Sequence, residues 1–264
     1  MARVTRFAPS PTGPLHLGHA FAALTAAARA DRFLLRVEDI DQTRCRPAYE
    51  QAICDDISWL GLTWETPVLK QSTRSDAYKQ ALDLLSQKGL TYHCTCTRSD
   101  IRAALSAPQG PEGPIYPGTC RNKHHPDGAL RLNIAKATAH LPGLSFIESG
   151  QTFRFNPRQL TDDIILFRRN EGFAYHLAVV VDDAFQGITE VTRGADLLPV
   201  TPLQVTLQHL LGLPTPTYHH HRLITDDLCK RLAKRDDARA LSKYRSEGAT
   251  PDDIRHMIGL PPTA

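Results

Sequence analysis

Three prolines and a glycine fall within six positions near the start of the chain, Pro9-Ser10-Pro11-Thr12-Gly13-Pro14, and restrict what can be built around them. Proline fixes φ and offers no backbone donor, so no helix or interior strand can run through this stretch, and it reads as an extended loop. Its flanks are regular. Residues 4–8 are apolar-leaning and read as a short strand, whereas residues 18–30 are alanine-rich and read as a helix. Residues 33–37 follow as a buried strand that ends in the acids Glu38-Asp39-Ile40-Asp41. Pro47 then opens a second helix, in which Ile53, Ile57 and Leu60 recur at helical spacing. Strand, glycine-containing loop, helix and strand in this order begin a parallel α/β sheet.

The remaining sequence interrupts and then resumes that pattern. From 91 to 143, Pro, Gly, His and Cys accumulate and periodicity is poor, which reads as an insertion. Residues 164–167 and 177–181 restore strand character, residues 203–211 read as a helix and residues 222–224 as a short strand. Two short polar helices with a break at Pro251 are expected over 236–260. The expected organisation is a first half of the core at 1–90, an inserted subdomain at 91–143, a second half at 144–225, and a basic loop with a helical stub at 226–264. At 264 residues, one large domain with a substantial insertion fits. No apolar run approaches the roughly 20 residues of a membrane span, and the arginine-bearing start is no secretory signal. The chain is therefore read as cytoplasmic, away from membranes, and monomeric. A net charge of +3 does not mark a nucleic-acid binder, because clustering matters more than the total; one cluster lies at Lys230, Arg231, Lys234 and Arg235.

His16 and His19 flank Gly18 at the junction of loop and helix. Helix N-termini gather unpaired backbone donors and partial positive charge, which suits phosphate, and Gly18 keeps a side chain out of the way of a nucleotide. Two imidazoles there can donate to charge that develops on an α-phosphate under attack.

The run from Arg6 to Ala20, about fifteen residues, resembles the signature of glutamyl-tRNA synthetases, in which this histidine motif is the ATP-binding HIGH box. The resemblance implies a Rossmann-type catalytic core with an inserted subdomain. It implies ATP at His16, Gly18 and His19, with Mg²⁺ accompanying the phosphates. It assigns glutamate to Arg6, Ala8, Ser10, Glu38, Tyr175 and Arg193, with Glu38, in Arg36-Val37-Glu38-Asp39-Ile40-Asp41, on the α-ammonium group. Chemistry agrees, since a dicarboxylic substrate needs two cations and one anion facing it, and guanidinium pairs with carboxylate bidentately. Lys230-Arg231-Leu232-Ala233-Lys234-Arg235 is similar to the second class I signature, KMSKS, and implies Lys234 on the ATP phosphates. Arg231 and Ala233 depart from that signature, so the loop keeps its cationic character and loses a hydroxyl donor.

Full-length bacterial glutamyl-tRNA synthetases continue into a helical anticodon-binding region, and the 30 residues after Lys234 cannot hold one. Over essentially its whole length the chain resembles the short branch of that family, the glutamyl-Q tRNA(Asp) synthetases. This implies that glutamate is adenylated without tRNA and passed to the queuosine at the wobble position of tRNA(Asp). Two other acceptors stay open at this point: the 3′ end of tRNA(Glu), and a small amine or carrier served by a HIGH-type ligase.

Six cysteines in a cytosolic chain do not read as a disulfide framework. Cys45, Cys54 and Cys229 are isolated, whereas Cys94, Cys96 and Cys120 fall in the insertion, where thiolates suit a closed, structural Zn²⁺ site. Tyr116 is the fourth ligand that the resemblance implies; on chemistry alone His93, His124 or His125 serve as well. The run His219-His220-His221 is expected just before a strand, where alternation keeps three neighbours from converging on one ion.

Overall fold

The computed structural model describes residues 2–103, 109–110, 113–225 and 239–262. It divides into two compact units, one formed by Met1–Thr73, Gly187–Leu198 and Pro216–Ala264, the other by Arg74–Gln186 and Pro199–Thr215. Residues 91–143 fall inside the second unit. No helix among the described residues is long and apolar enough to cross a membrane.

In the first unit, strand Val4–Phe7 is buried along its whole length and pairs in parallel with Arg32–Val37, which pairs in parallel with Glu65–Lys70. On its other side the Thr189 amide donates to the Val4 carbonyl at 3.0 Å and leads into strand Glu190–Gly194, parallel to Thr217–His221. Helix Leu17–Ala28 lies against these strands through Ala20, Ala23, Leu24 and Ala26. Its alanines let the backbones come close enough for the buried Thr5 hydroxyl to donate to the Ala26 carbonyl at 2.9 Å. Helix Pro47–Trp59 adds Ile53 and Ile57 to the same core, and the short helices Leu241–Ser246 and Pro251–Met257 add Leu241 and Ile254. Pro251 opens the last helix behind a Thr250 cap.

In the second unit, an antiparallel sheet runs in the order Gly172–Phe173, Ile165–Arg168, Ala129–Leu132, Thr91–Cys94. Helices Ser75–Gln87, Tyr175–Phe185 and Thr201–Leu211 supply Leu82, Leu85, Leu177, Val180 and Leu207 to its core. Hairpin Leu144–Glu148 with Gln151–Phe155 completes the unit.

Two sequence expectations are corrected. Residues 177–181 are helical, within Tyr175–Phe185, not a strand. Leu177, Ala178, Val179 and Val180 are all buried, and a short apolar run hidden on every side carries no periodicity that separates helix from strand. The strand expected at 222–224 lies one step earlier, at Thr217–His221, so the three histidines are in the strand rather than before it.

One buried charge stands out in the first unit. Asp56 is 1% exposed, neither carboxylate oxygen has a hydrogen-bond partner, and Arg245 Nη1 lies 3.6 Å away. Burial pushes its pKa up to about 6, against the pull of Arg245 and with a smaller push from Asp55. The folded chain therefore holds this proton between the ordinary value of 3.8 and about 6 while the unfolded chain has lost it, so stability falls as pH rises through that window. Replacing Asp56 by Asn removes the charge at nearly constant shape. Thermal melts should show the variant equal to the parent near pH 4 and several degrees more stable at pH 8; parallel pH profiles would sink this account.

Candidate functional site

The proline loop carries the chain out of strand Val4–Phe7 and back to helix Leu17–Ala28, and its final residue is the helix cap. His16 is extended (φ −130°, ψ 178°), and its Nδ1 accepts from the Gly18 amide at 3.1 Å. In return, His19 Nδ1 accepts from the His16 amide at 3.1 Å. These are the jobs of Ser and Glu in a capping box, done here by two imidazoles. A backbone N–H can only donate, so both Nδ1 atoms are acceptors and each neutral ring carries its proton on Nε2. Each therefore presents an N–H donor on the side away from the helix backbone. The rings lie 3.8 Å apart between centroids, and no acidic side chain occupies the first helical turn to neutralise its positive end. Gly18 serves the same turn: a Cβ there would come within 3.0 Å of His16 Cε1, so glycine is what lets that ring fold back onto the amide.

Residues shortly after the basic cluster reach this turn. The Leu241 amide donates to the Leu15 carbonyl at 2.8 Å, and Ala240 bridges to His16. Lys230, Arg231, Lys234 and Arg235 themselves lie outside the described residues.

Three expected residues for the dicarboxylate stand at the carboxyl ends of strands in the first unit. Arg6, 5% exposed, reaches the Thr192 carbonyl with Nη1 at 3.5 Å, the residue before Arg193. Arg193, 7% exposed, donates from Nε to His220 Nε2 at 3.0 Å and from Nη2 to the Leu197 carbonyl at 3.4 Å. Glu38 follows strand Arg32–Val37; its amide donates to the Pro9 carbonyl at 3.0 Å, and its carboxylate accepts from the wholly buried Arg36 at 3.3 Å. Arg36 was not singled out from the sequence, where it reads as one more residue of a short strand. The neighbouring acids are structural: Asp39 takes the Ser72 amide and hydroxyl, and Asp41 takes Thr43 and Arg44, whose hydrogen bonds hold its pKa below the ordinary value against a smaller effect of burial. Ala8 and Ser10 lie in the proline loop, where the Thr12 amide donates to the Ser10 carbonyl at 2.8 Å. Tyr175 belongs to the second unit, at the start of helix Tyr175–Phe185, edge-on to His176.

Cys94, Cys96 and Cys120 come together in the second unit, their sulfurs all within 4.8 Å. Cys96 Sγ is 3.5 Å from Cys120 Sγ, and Tyr116 Oη is 3.3 Å from Cys94 Sγ and 3.7 Å from Cys96 Sγ. Ligands around a tetrahedral ion with metal–sulfur bonds near 2.3 Å sit roughly 3.8 Å apart, so this set has the size of a four-ligand cage and can hold a metal. Among the described residues no histidine nitrogen joins the group; His93 Nδ1 lies instead against the Gly128 carbonyl. Gly128 has φ +128°, and a Cβ there would meet the Cys94 carbonyl oxygen at 2.5 Å, so glycine is required behind the first ligand. Burial works against a thiolate at Cys120, but hydrogen bonds from Tyr116, the Thr95 backbone and the other two thiols bring its pKa down to about 6. Burial pushes Cys96 up to about 11. Tyr116 is fixed from three sides: its amide donates to Asp162 at 3.1 Å, Arg131 stacks over its ring at 3.8 Å, and the Cys120 amide donates to its oxygen at 2.8 Å. Arg131 is in turn held by the Asp163 carbonyl at 2.7 Å.

The family model for class I tRNA synthetases (E and Q), catalytic domain, matches residues 3–261, and the chain belongs to this class of synthetases. The glutamyl-Q tRNA(Asp) synthetase of Rhodobacter capsulatus is 54% identical, over 97% of this chain and 100% of that protein. That of Thiobacillus denitrificans is 46% identical, over 99% of this chain and 87% of that one. Within the class, the chain belongs to the glutamyl-Q tRNA(Asp) synthetase family. Among solved structures, a glutamate tRNA ligase from Elizabethkingia meningosepticum, in complex with its amino acid, matches with a TM-score of 0.75 at 26% identity. The match covers 98% of this chain and 60% of that one.

Metal capacity is testable by optical titration. Co²⁺ added to chelator-stripped protein should give sulfur-to-cobalt charge-transfer absorption and the strong visible bands of a tetrahedral site. Cys120→Ser should diminish the first and Tyr116→Phe shift the second. Absorption like that of aqueous Co²⁺ would refute the cage.

Proposed function

We propose that this chain activates glutamate with ATP as glutamyl-adenylate, without tRNA, and transfers the glutamate to the queuosine of tRNA(Asp). The observation that carries the reading is the pair of Nε2–H donors fixed by the His16 and His19 caps. An α-phosphate under attack gains negative charge, and donors already locked in place need no reorganisation to meet it. ATP takes its place across His16, Gly18 and His19, with Lys234 and Mg²⁺ on its phosphates. Arg6 and Arg193 take the two carboxylates of glutamate, Glu38 its ammonium group, and Ala8 and Ser10 line the same end of the first unit. The α-carboxylate attacks the α-phosphorus and pyrophosphate leaves; a queuosine hydroxyl then attacks the activated carbonyl and AMP leaves. Positioning and electrostatics suffice, with no protein nucleophile.

Zn²⁺ is the metal proposed for Cys94, Cys96, Tyr116 and Cys120. It would cross-link strand Thr91–Cys94 to the loop at 116–120 and so hold the 91–143 segment, read as a subdomain, in shape. The relatives named for glutamyl-Q and tRNA(Asp) support the acceptor, and the neighbour solved with its amino acid supports the substrate.

Glutamate-dependent ATP–pyrophosphate exchange without tRNA should be observed, and its absence would overturn the adenylation step. Labelled glutamate should pass to queuosine-containing tRNA(Asp) and not to the queuosine-free form. Label at the 3′ end of tRNA(Glu) would overturn the acceptor. His16→Asn separates cap from donor, because asparagine caps helices well but places nothing at Nε2. Its melting temperature should stay near that of the parent while the exchange rate constant falls by roughly 10²–10³-fold.

A further inference from the structure

Tyr116 Oη lies beside two of the sulfurs, and it can stay there only while the ring keeps one orientation. The oxygen is at the far end of the ring, so a modest rotation about the side-chain bonds carries it out of the cage. The residues that hold the orientation come from elsewhere in the second unit. Two consecutive acids bracket the ligand loop. The Asp162 carboxylate accepts from the Tyr116 amide at 3.1 Å; the Asp163 carboxylate accepts from Arg121, the residue after Cys120, at 2.9 Å from Nε and 2.8 Å from Nη2. The main chain of Asp163 holds a third piece. Its carbonyl accepts from Arg131 Nη1 at 2.7 Å, and the Arg131 guanidinium lies over the Tyr116 ring, 3.8 Å from its centre.

Arg131 is poorly served by hydrogen bonds. It is 5% exposed, and its Nε is buried with no hydrogen-bond partner among the described residues. A buried donor left unpaired costs stability, so a guanidinium placed by its own hydrogen bonds would turn Nε toward an acceptor. This one forgoes that bond and covers an aromatic face. Strand register brings it there: Arg131 is the direct partner of Tyr92, whose hydroxyl donates to the same Asp163 carboxylate at 2.5 Å. The contact also suits the residue type, since a planar guanidinium stacks on a ring as an ammonium group cannot.

We propose that Arg131 is a positioning residue of the metal site: a planar cover, anchored on the Asp163 main chain, that holds the Tyr116 ring where its oxygen can serve as the fourth ligand. The inference rests on the reading of Tyr116 as that ligand and deepens it.

Co²⁺ binding to the chelator-stripped full chain reads this out, with affinity from competition against a chelator of known strength and geometry from the visible bands. Arg131→Met removes the planar cover, and Arg131→Lys keeps the charge without the plane. Both should weaken Co²⁺ binding roughly 10–100-fold, the usual cost of losing an outer partner of a ligand, and shift the visible bands toward those of Tyr116→Phe. The sulfur-to-cobalt absorption should keep its parental intensity, since the three thiols are untouched. In a Tyr116→Phe background, Arg131→Met should change the affinity by less than about threefold, because no ligand oxygen is left to position. Parental affinity and bands in Arg131→Lys would overturn the proposal. So would an equal loss in both backgrounds, which marks a general structural role. Should Arg131→Met fail to fold, Arg131→Lys in the two backgrounds carries the same comparison. Tyr116→Phe tests the underlying reading: parental affinity and bands there would remove Tyr116 from the cage, and the role of Arg131 with it. If Tyr116→Phe changes the bands while the Arg131 variants do not, only the positioning claim fails.

Discussion

Two hydrogen bonds from backbone amides to imidazole Nδ1 atoms, at the start of helix Leu17–Ala28, hold the turn on which the proposed chemistry depends. They cap the helix, and in doing so they fix the tautomer and direction of both rings. The turn is over-determined from every side. Gly18 leaves room for the His16 ring, the proline loop sets the entry of the chain, and residues 240–241 close on Leu15 and His16. A capping serine would stabilise the same helix about as well, at about 1 kcal/mol, but would leave no second donor to face a ligand. The cap uses only the Nδ1 end of each side chain.

The charges of the first unit show a comparable economy. Buried cations are expensive unless paired, and where the partner is a carboxylate the pair is structural. Glu190 takes Arg29 at 2.5 Å, and Arg3 from 3.6 Å, and belongs to the framework. Arg36 is spent on Glu38, which steadies an acid at a strand's end. Arg193 donates to the His220 imidazole and the Leu197 carbonyl.

The cysteine cluster in the second unit is built on a separate polar knot. Asp163, fully buried, accepts from Tyr92, Arg121 and the Ile134 amide, and its carbonyl holds the Arg131 that stacks on Tyr116. A buried carboxylate with that many donors is fully satisfied, and such outer partners commonly set ligand orientation in metal sites. Tyr92 and Arg121 flank the cysteines in sequence, but Asp163, Arg131 and Ile134 lie outside the segment 94–120, so no spacing pattern could have revealed the knot.

The sequence alone determined the opening strand, loop, helix and strand, because prolines and glycine punctuate it and alanines fill its helix. It determined the histidine pair, the acidic strand end and the three cysteines, since each is a short-range pattern whose chemistry depends on residue type and spacing. It misread residues 177–181, where burial on all sides erases periodicity, and it placed a strand at 222–224 because a run of histidines does not resemble one. Only the tertiary structure brought the Tyr116 hydroxyl, and no described histidine nitrogen, beside the three sulfurs, set Arg36 behind Glu38, and put His220 opposite Arg193. Those pairings join positions from two to 27 residues apart through strand register and side-chain direction. Such information appears only once the chain has folded and its neighbours in space are no longer its neighbours in sequence.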